Sequence, residues 1–136
     1  MSAAARAVVD TAALRHNLLS VREAAPGSRV MAVIKANAYG HGLVEVARAL
    51  ADADAFAVAR LDEAVALRDA GLAHRIVLLE GVLRSEELSR AAALRLGPVR
   101  RWPVQVSAVG RASLDNPGRA WLGFDAGRQR LGFPPG

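Results

Sequence analysis

Residues 33–42 read VIKANAYGHG, and the group in that stretch with covalent chemistry open to it is the amine of Lys35. Four apolar residues, Met31 to Ile34, run into it, and a glycine-flanked polar turn follows. Lys35 is the only lysine, with arginine supplying the other 17 of the 18 Lys and Arg residues, so it stands out against a general bias toward arginine. In parallel α/β folds the functional groups sit at the C-terminal ends of strands. A lysine in such a partly dry mouth is expected to have a lowered pKa, and its neutral amine can condense with a carbonyl. An ordinary surface lysine can occupy the same position, and position alone favours that plainer reading.

The surrounding elements must bring Lys35 to a strand end. Asp10 is a good N-cap for a helix over TAALRHNLLSVREAAPG, in which Leu14, Leu18 and Val21 share a face and Pro26–Gly27 end the run. RVMAVI, residues 29–34, is apolar without alternation, as a strand buried on both faces would be. GLVEVARALAD (42–52) reads as a helix with Leu43, Val46, Ala47 and Leu50 inward, AFAVA (55–59) as a strand, and LDEAVALRDAG (61–71) as a helix stopped by Gly71. RIVLLE (75–80) is a third strand, SEELSRAAALRL (85–96) a helix capped by Ser85, and AWLGF (120–124) a late strand. Strands alternating with helices of about three turns predict βα units and a parallel sheet.

One patch breaks the alternation. A strand is due after Leu96, but Gly97, Pro98, Val99, Arg100 and Arg101 stand there. Proline and two adjacent unpaired arginines argue against a buried central strand, and the pattern is one that a frameshift, a decayed gene or a sequencing error leaves. Residues 103–114 are compatible with a helix.

Composition bounds the partners. At 52% hydrophobic residues and mean hydropathy +0.18 the chain can build a core, and no apolar run approaches the roughly 18–20 residues of a membrane helix. The N-terminus MSAAARAVVD lacks the apolar stretch of a secretory signal. Without cysteine there are no disulfides or thiolate metal sites, so the default location is the cytoplasm. The net charge is +5, but the arginines are spread along the chain and aromatics make up only 4%, which argues for a solvated basic surface rather than a nucleic-acid platform. His16, His41 and His74 have no metal-ligand spacing. His16 is expected on a helix surface and His41 in the turn after Lys35. The acid pairs Asp62/Glu63 and Glu86/Glu87 open helices, where their charge is favourable, and adjacent helical residues point to different faces.

AVIKANAYGHG (32–42) resembles the cofactor-lysine motif of the alanine racemase family, which uses pyridoxal phosphate on a TIM-type barrel. LRHNL (14–18) resembles the family's first helix, and WLGFDAGRQRLGF (121–133) a second family segment. The resemblance covers nearly the whole chain but only the first part of the family's length. It implies an α/β fold, the N-terminal part of an incomplete (β/α)8 barrel over residues 1–136, without the family's C-terminal β-domain. It also implies the interconversion of L- and D-alanine. Lys35 would hold pyridoxal phosphate as a Schiff base and exchange the alpha proton on one face. Tyr39 would contact the cofactor phosphate, Arg130 would lie near its phenolic oxygen and the substrate, and Leu79 would be an apolar cofactor contact. In the family the opposite base is a tyrosine delivered across a homodimer interface. Tyr39 is the only tyrosine here and belongs to the same turn as Lys35, so that second base is missing.

Three positions depart from the family pattern. Gly123 stands where many members carry a lysine that can be carbamylated and orients the nearby arginine, Ala126 replaces a small hydroxyl residue, and Arg128 stands where methionine is common. Five strand slots leave a barrel open, with exposed edges and an uncovered inner face, so this chain alone is expected to be marginal or to associate. The alternatives are a pyridoxal phosphate carrier, a racemase of another amino acid, or a non-catalytic basic binding module.

Overall fold

The computed structural model describes residues 4–82, 84–101, 105, 107 and 120–134. Five parallel strands lie side by side in chain order: β1 (Met31–Val33), β2 (Ala55–Val58), β3 (Arg75–Leu78), β4 (Leu96–Arg100) and β5 (Trp121–Leu122). Helices α1 (Thr11–Ala24), α3 (Leu43–Ala49), α4 (Leu61–Asp69) and α5 (Ser85–Ala93) alternate with them, and a single turn, α2 (Lys35–Tyr39), follows β1. The expected alternation is therefore observed, including a helix capped by Asp10, whose carboxylate accepts the N–H groups of Ala12 and Ala13. The alternative of a helix over 103–114 falls almost wholly outside the described residues. No described helix is long and apolar enough to cross a membrane.

Alternation along the strands separates two faces. Ile34, Phe56, Val58, Ile76, Leu78 and Leu96 point to the helices and pack with Leu18, Val46, Leu67 and Leu88 in the main core. Ala57, Val77 and Val99 point the other way, joined by Leu79 in a much smaller cluster. Nothing in the described chain covers that inner face. This explains why β1, expected to be buried on both sides, is half exposed at Met31 and Val33: it has one strand neighbour, and its inward side chains meet no opposing layer. Val21 on α1 is likewise exposed, although its spacing placed it inward. Asp54 fastens the β1–β2 edge, accepting the Val30 N–H at 2.7 Å and pairing with Arg22 at 3.2 Å. Those partners, the Val30 bond first, hold its carboxyl below the usual range. Ser85 is the first helical residue of α5 rather than its cap; Arg84 holds the cap position and donates its N–H to Glu87.

The patch after Leu96 is a strand, contrary to the expectation from its residues. It pairs with β3 through Leu96, Gly97 and Pro98, and with β5 only from Val99 onward. Pro98 thus stands at the margin of the β5 ladder rather than within it, where a missing N–H is tolerated. Period-two alternation sends the two arginines to opposite faces. Arg101 emerges toward the strand ends, whereas Arg100 is 3% exposed, and its Nε and Nη1 have no hydrogen-bond partner. Burial pushes the Arg100 pKa down. The anticipated penalty is real, but it weakens the strand without preventing it. Replacing Arg100 with methionine removes the orphaned donors while keeping an unbranched stem, and is expected to stabilise the chain by about 1–3 kcal/mol. A urea midpoint for Arg100→Met at or below that of the parent would show that these donors carry no such cost.

Candidate active site

The chain reverses its hand immediately after Lys35. Ala36, Asn37 and Ala38 have φ between 53° and 55° with ψ between 43° and 52°, and Tyr39 has φ 56°. Each left-handed L-residue costs roughly 1–2 kcal/mol, so such a turn persists only where its surroundings hold it. The residue types reduce the cost. Alanines carry the smallest side chain, asparagine tolerates this region better than most, and Gly40 and Gly42 continue with φ 88° and 97°.

Asn37 is the hub of the turn. Its carbonyl accepts the N–H groups of Gly40 and Gly42, its Oδ1 accepts the Leu43 N–H at 2.9 Å and so ties the turn to α3, and its own N–H donates to Glu63 of α4 at 3.2 Å. His41 sits in the turn as expected, its Nδ1 2.8 Å from the Ala38 carbonyl. Since a carbonyl only accepts, that contact requires the hydrogen on Nδ1.

At the C-terminal ends of the strands lies an open cleft of about 540 Å³. Lys35, Leu79 and Arg130 all line it, although they come from three distant segments. Tyr39 does not line it and is 59% exposed. Lys35 itself is exposed, so the dry mouth expected from its strand-end position is not formed by the described residues; among them β1 is an edge, with no wall on its free side. Four further charged side chains that sequence reasoning did not select as site residues line the same cleft: Glu80, Arg101, Asp125 and Arg128. Arg101 was obscured because the proline and paired arginines of its segment argued against a strand there. The alternation of side chains along a strand was the available signal.

Arg128 and Arg130 are presented by a loop closed at its base. Phe124 and Phe133 form an isolated bridge with ring centroids 6.2 Å apart, Phe133 donates its N–H to the Gly123 carbonyl, and Asp125 donates to that of Phe133. Asp125 Oδ1 accepts the N–H groups of Gln129 and Gly127, each at 3.0 Å, and these bonds, Gln129 first, hold its carboxyl below the usual range. Gly132 is required here. Its φ is 125°, and an added Cβ would fall 2.7 Å from the Asp125 nitrogen. At Gly123 an added Cβ would meet Arg101 Cγ at 3.1 Å, so the stem of Arg101 fills the space beside this residue.

The cleft fits a phosphorylated aldehyde. It offers one amine able to condense with the aldehyde, guanidinium groups from Arg101, Arg128 and Arg130 for anionic oxygens, and apolar surface from Leu79, Val99 and Trp121 for a ring.

Known proteins resemble this chain along nearly its whole length. The sequence model of the family described as "Alanine racemase, N-terminal domain" matches residues 9–136. The chain is 54% identical over 136 residues to an alanine racemase of Halorhodospira halophila, covering 99% of this chain and 37% of that protein. It is 52% identical over 130 residues to one of Nitrosococcus oceani, covering 96% and 36%. The crystal structure of biosynthetic alanine racemase from Pseudomonas aeruginosa superposes with a TM-score of 0.89 at 47% identity, covering 93% of this chain and 36% of that one. The alanine racemase structure from Acinetobacter baumannii gives 0.85 at 33% identity, covering 92% and 38%. The chain thus spans little more than a third of the relatives it matches. It belongs to the alanine racemase family and corresponds to the N-terminal part of that family's TIM-type barrel.

Proposed function

We propose that residues 1–136 form the cofactor-binding part of an alanine racemase, with pyridoxal phosphate held on Lys35, and that the complete protein interconverts L- and D-alanine. The observation that carries this reading is the convergence of Lys35, Leu79 and Arg130 on one cleft. When bound, the cofactor withdraws electron density from the alpha carbon of an amino acid and makes its proton removable. Lys35 Nζ takes or returns that proton on one face. Leu79 forms an apolar wall, and the Arg130 guanidinium offsets negative charge beside the ring and the substrate carboxylate. Tyr39, which lies outside the cleft lining, would contact the phosphate on the strength of the motif's resemblance to the family. A base for the opposite face comes from outside residues 1–136, on this reading across the interface of a cytoplasmic homodimer.

The test is reductive trapping. The purified chain is mixed with pyridoxal phosphate, reduced with borohydride, digested and weighed. The expected result is one cofactor mass on the peptide bearing Lys35, and its loss in both Lys35→Ala and Lys35→Arg, since a guanidinium does not condense under these conditions. No adduct on that peptide in the parent chain defeats the proposal. The same 136 residues are expected to form no D-alanine from L-alanine above a protein-free control, because only one face has a base.

A further inference from the structure

We infer that Glu63 is the positioning residue of Lys35: one carboxylate links the left-handed turn after β1 to the end of β2 and so sets the direction in which the amine is presented. The inference rests on the reading of Lys35 as the reactive amine. Glu63 lies in the first turn of α4, where a glutamate is favoured simply because its charge opposes the helix dipole and it can accept N–H groups at the helix entry. Part of its bonding is of that ordinary kind, since Oε2 accepts the Ala59 N–H at 3.0 Å and the Arg60 N–H at 3.2 Å. The remaining bond is different. Oε1 accepts the N–H of Asn37, 26 residues earlier in the chain, at 3.2 Å, and helix capping has no need of it.

The Asn37 N–H needs such a partner. In the opening turn of any helix the first N–H groups find no carbonyl within the helix, and a reversal of hand does not change that count. Ala38 donates back to Ile34, whereas among the described residues the Asn37 N–H is received by the Glu63 carboxylate. Asn37 is two residues from Lys35, and Ala59, bonded to the other oxygen, itself lines the cleft with Lys35. Glu63 therefore spans the two strand ends on one side of the amine. Glutamine at 63 has the same shape but only one acceptor, its second terminal atom being a donor. Its one acceptor stays with the Ala59 and Arg60 N–H groups, two bonds against one, so Asn37 is the residue that loses its partner.

The experiment compares the 136-residue chain with Glu63→Gln in two measurements. The first is amide hydrogen exchange, expressed as the rate at Asn37 relative to that at Val77 in β3, a ratio that a general loss of stability does not raise. The second is the rate at which pyridoxal phosphate becomes reducible onto Lys35. The expected result is a rise in the exchange ratio of about tenfold, with adduct formation slowed by a similar factor, as for loss of one charge-assisted bond. An unchanged exchange ratio overturns the inference, and so does a raised ratio with an unchanged rate at Lys35. A parent chain that forms no adduct defeats the reading of Lys35 itself, and with it the positioning role, whereas an adduct forming equally fast in both proteins defeats only the role of Glu63. Should Glu63→Gln not fold, Glu63→Asp, with both oxygens on a shorter stem, is judged by the same two measurements.

Discussion

Phe56→Ala brings the chain to the edge of unfolding in water. Phe56 has no exposed surface and stands in β2, with β1 and β3 on either side and α3 and α4 packed nearby in the main core. Its ring lies 4.8 Å from that of His74, whose Nε2 is bonded to the Ala51 carbonyl. Truncating a buried phenylalanine typically costs about 3–5 kcal/mol, the lost transfer energy plus the cavity left behind. Whole domains are stable by only about 5–15 kcal/mol. A sheet with one bare face should lie near the bottom of that range, because the inner cluster of Ala57, Val77 and Val99 contributes little burial. Far-UV circular dichroism across a urea series gives the answer. A midpoint close to that of the parent would mean that the helix-facing layer is not the cooperative core.

Self-association of the parent chain, relieved by two charges on β1, is the second large effect. Met31 and Val33 are 38% and 40% exposed on the inner face, and Trp121 on β5, in register with Val99, is 44% exposed. Among the described strands β1 and β5 are edges, which present unpaired N–H and C=O groups. Apolar surface next to an open strand edge is a template for pairing with another copy. Burying a side chain such as Met or Val yields about 1.5–3 kcal/mol, so two such residues on each copy change an association constant by an order of magnitude or more. Sedimentation velocity should show a mass that rises with protein concentration for the parent chain. Met31→Lys combined with Val33→Lys should shift the material toward monomer, since lysine on an edge disfavours pairing. A parent chain that stays monomeric over a hundredfold concentration range, roughly the span in which such energies act, would rule out exposed apolar surface as the driver.

Local signals read well where a local cause decided the outcome. Asp10 as a cap, the inward Leu18, Leu43, Val46 and Ala47, the apolar runs of β2 and β3, and the stop at Gly71 each depend on a few neighbouring residues and on the helical or strand period. The lysine motif was equally legible, because its chemistry and its glycine-flanked turn lie within ten residues.

Long-range causes were hidden. The exposure of Val33 depends on what faces it across the sheet, and its apolar character gave the opposite expectation. Pro98 and Arg100 read as obstacles because their segment was judged alone; β3 recruited it into the sheet regardless. Glu63 looked sufficiently explained by its own helix until Asn37 was found within hydrogen-bond reach.

By itself the sequence determined the alternation of strands and helices apart from β4, the parallel α/β class and the place of the only lysine at the end of a strand, because periodicity, capping and residue chemistry act over distances of a few residues. Only the tertiary structure decided the left-handed turn, the meeting of Lys35, Leu79 and Arg130 in one cleft, and the exposed state of that lysine. Each of those depends on which surfaces a folded neighbour covers or leaves open to water, and no local pattern encodes that.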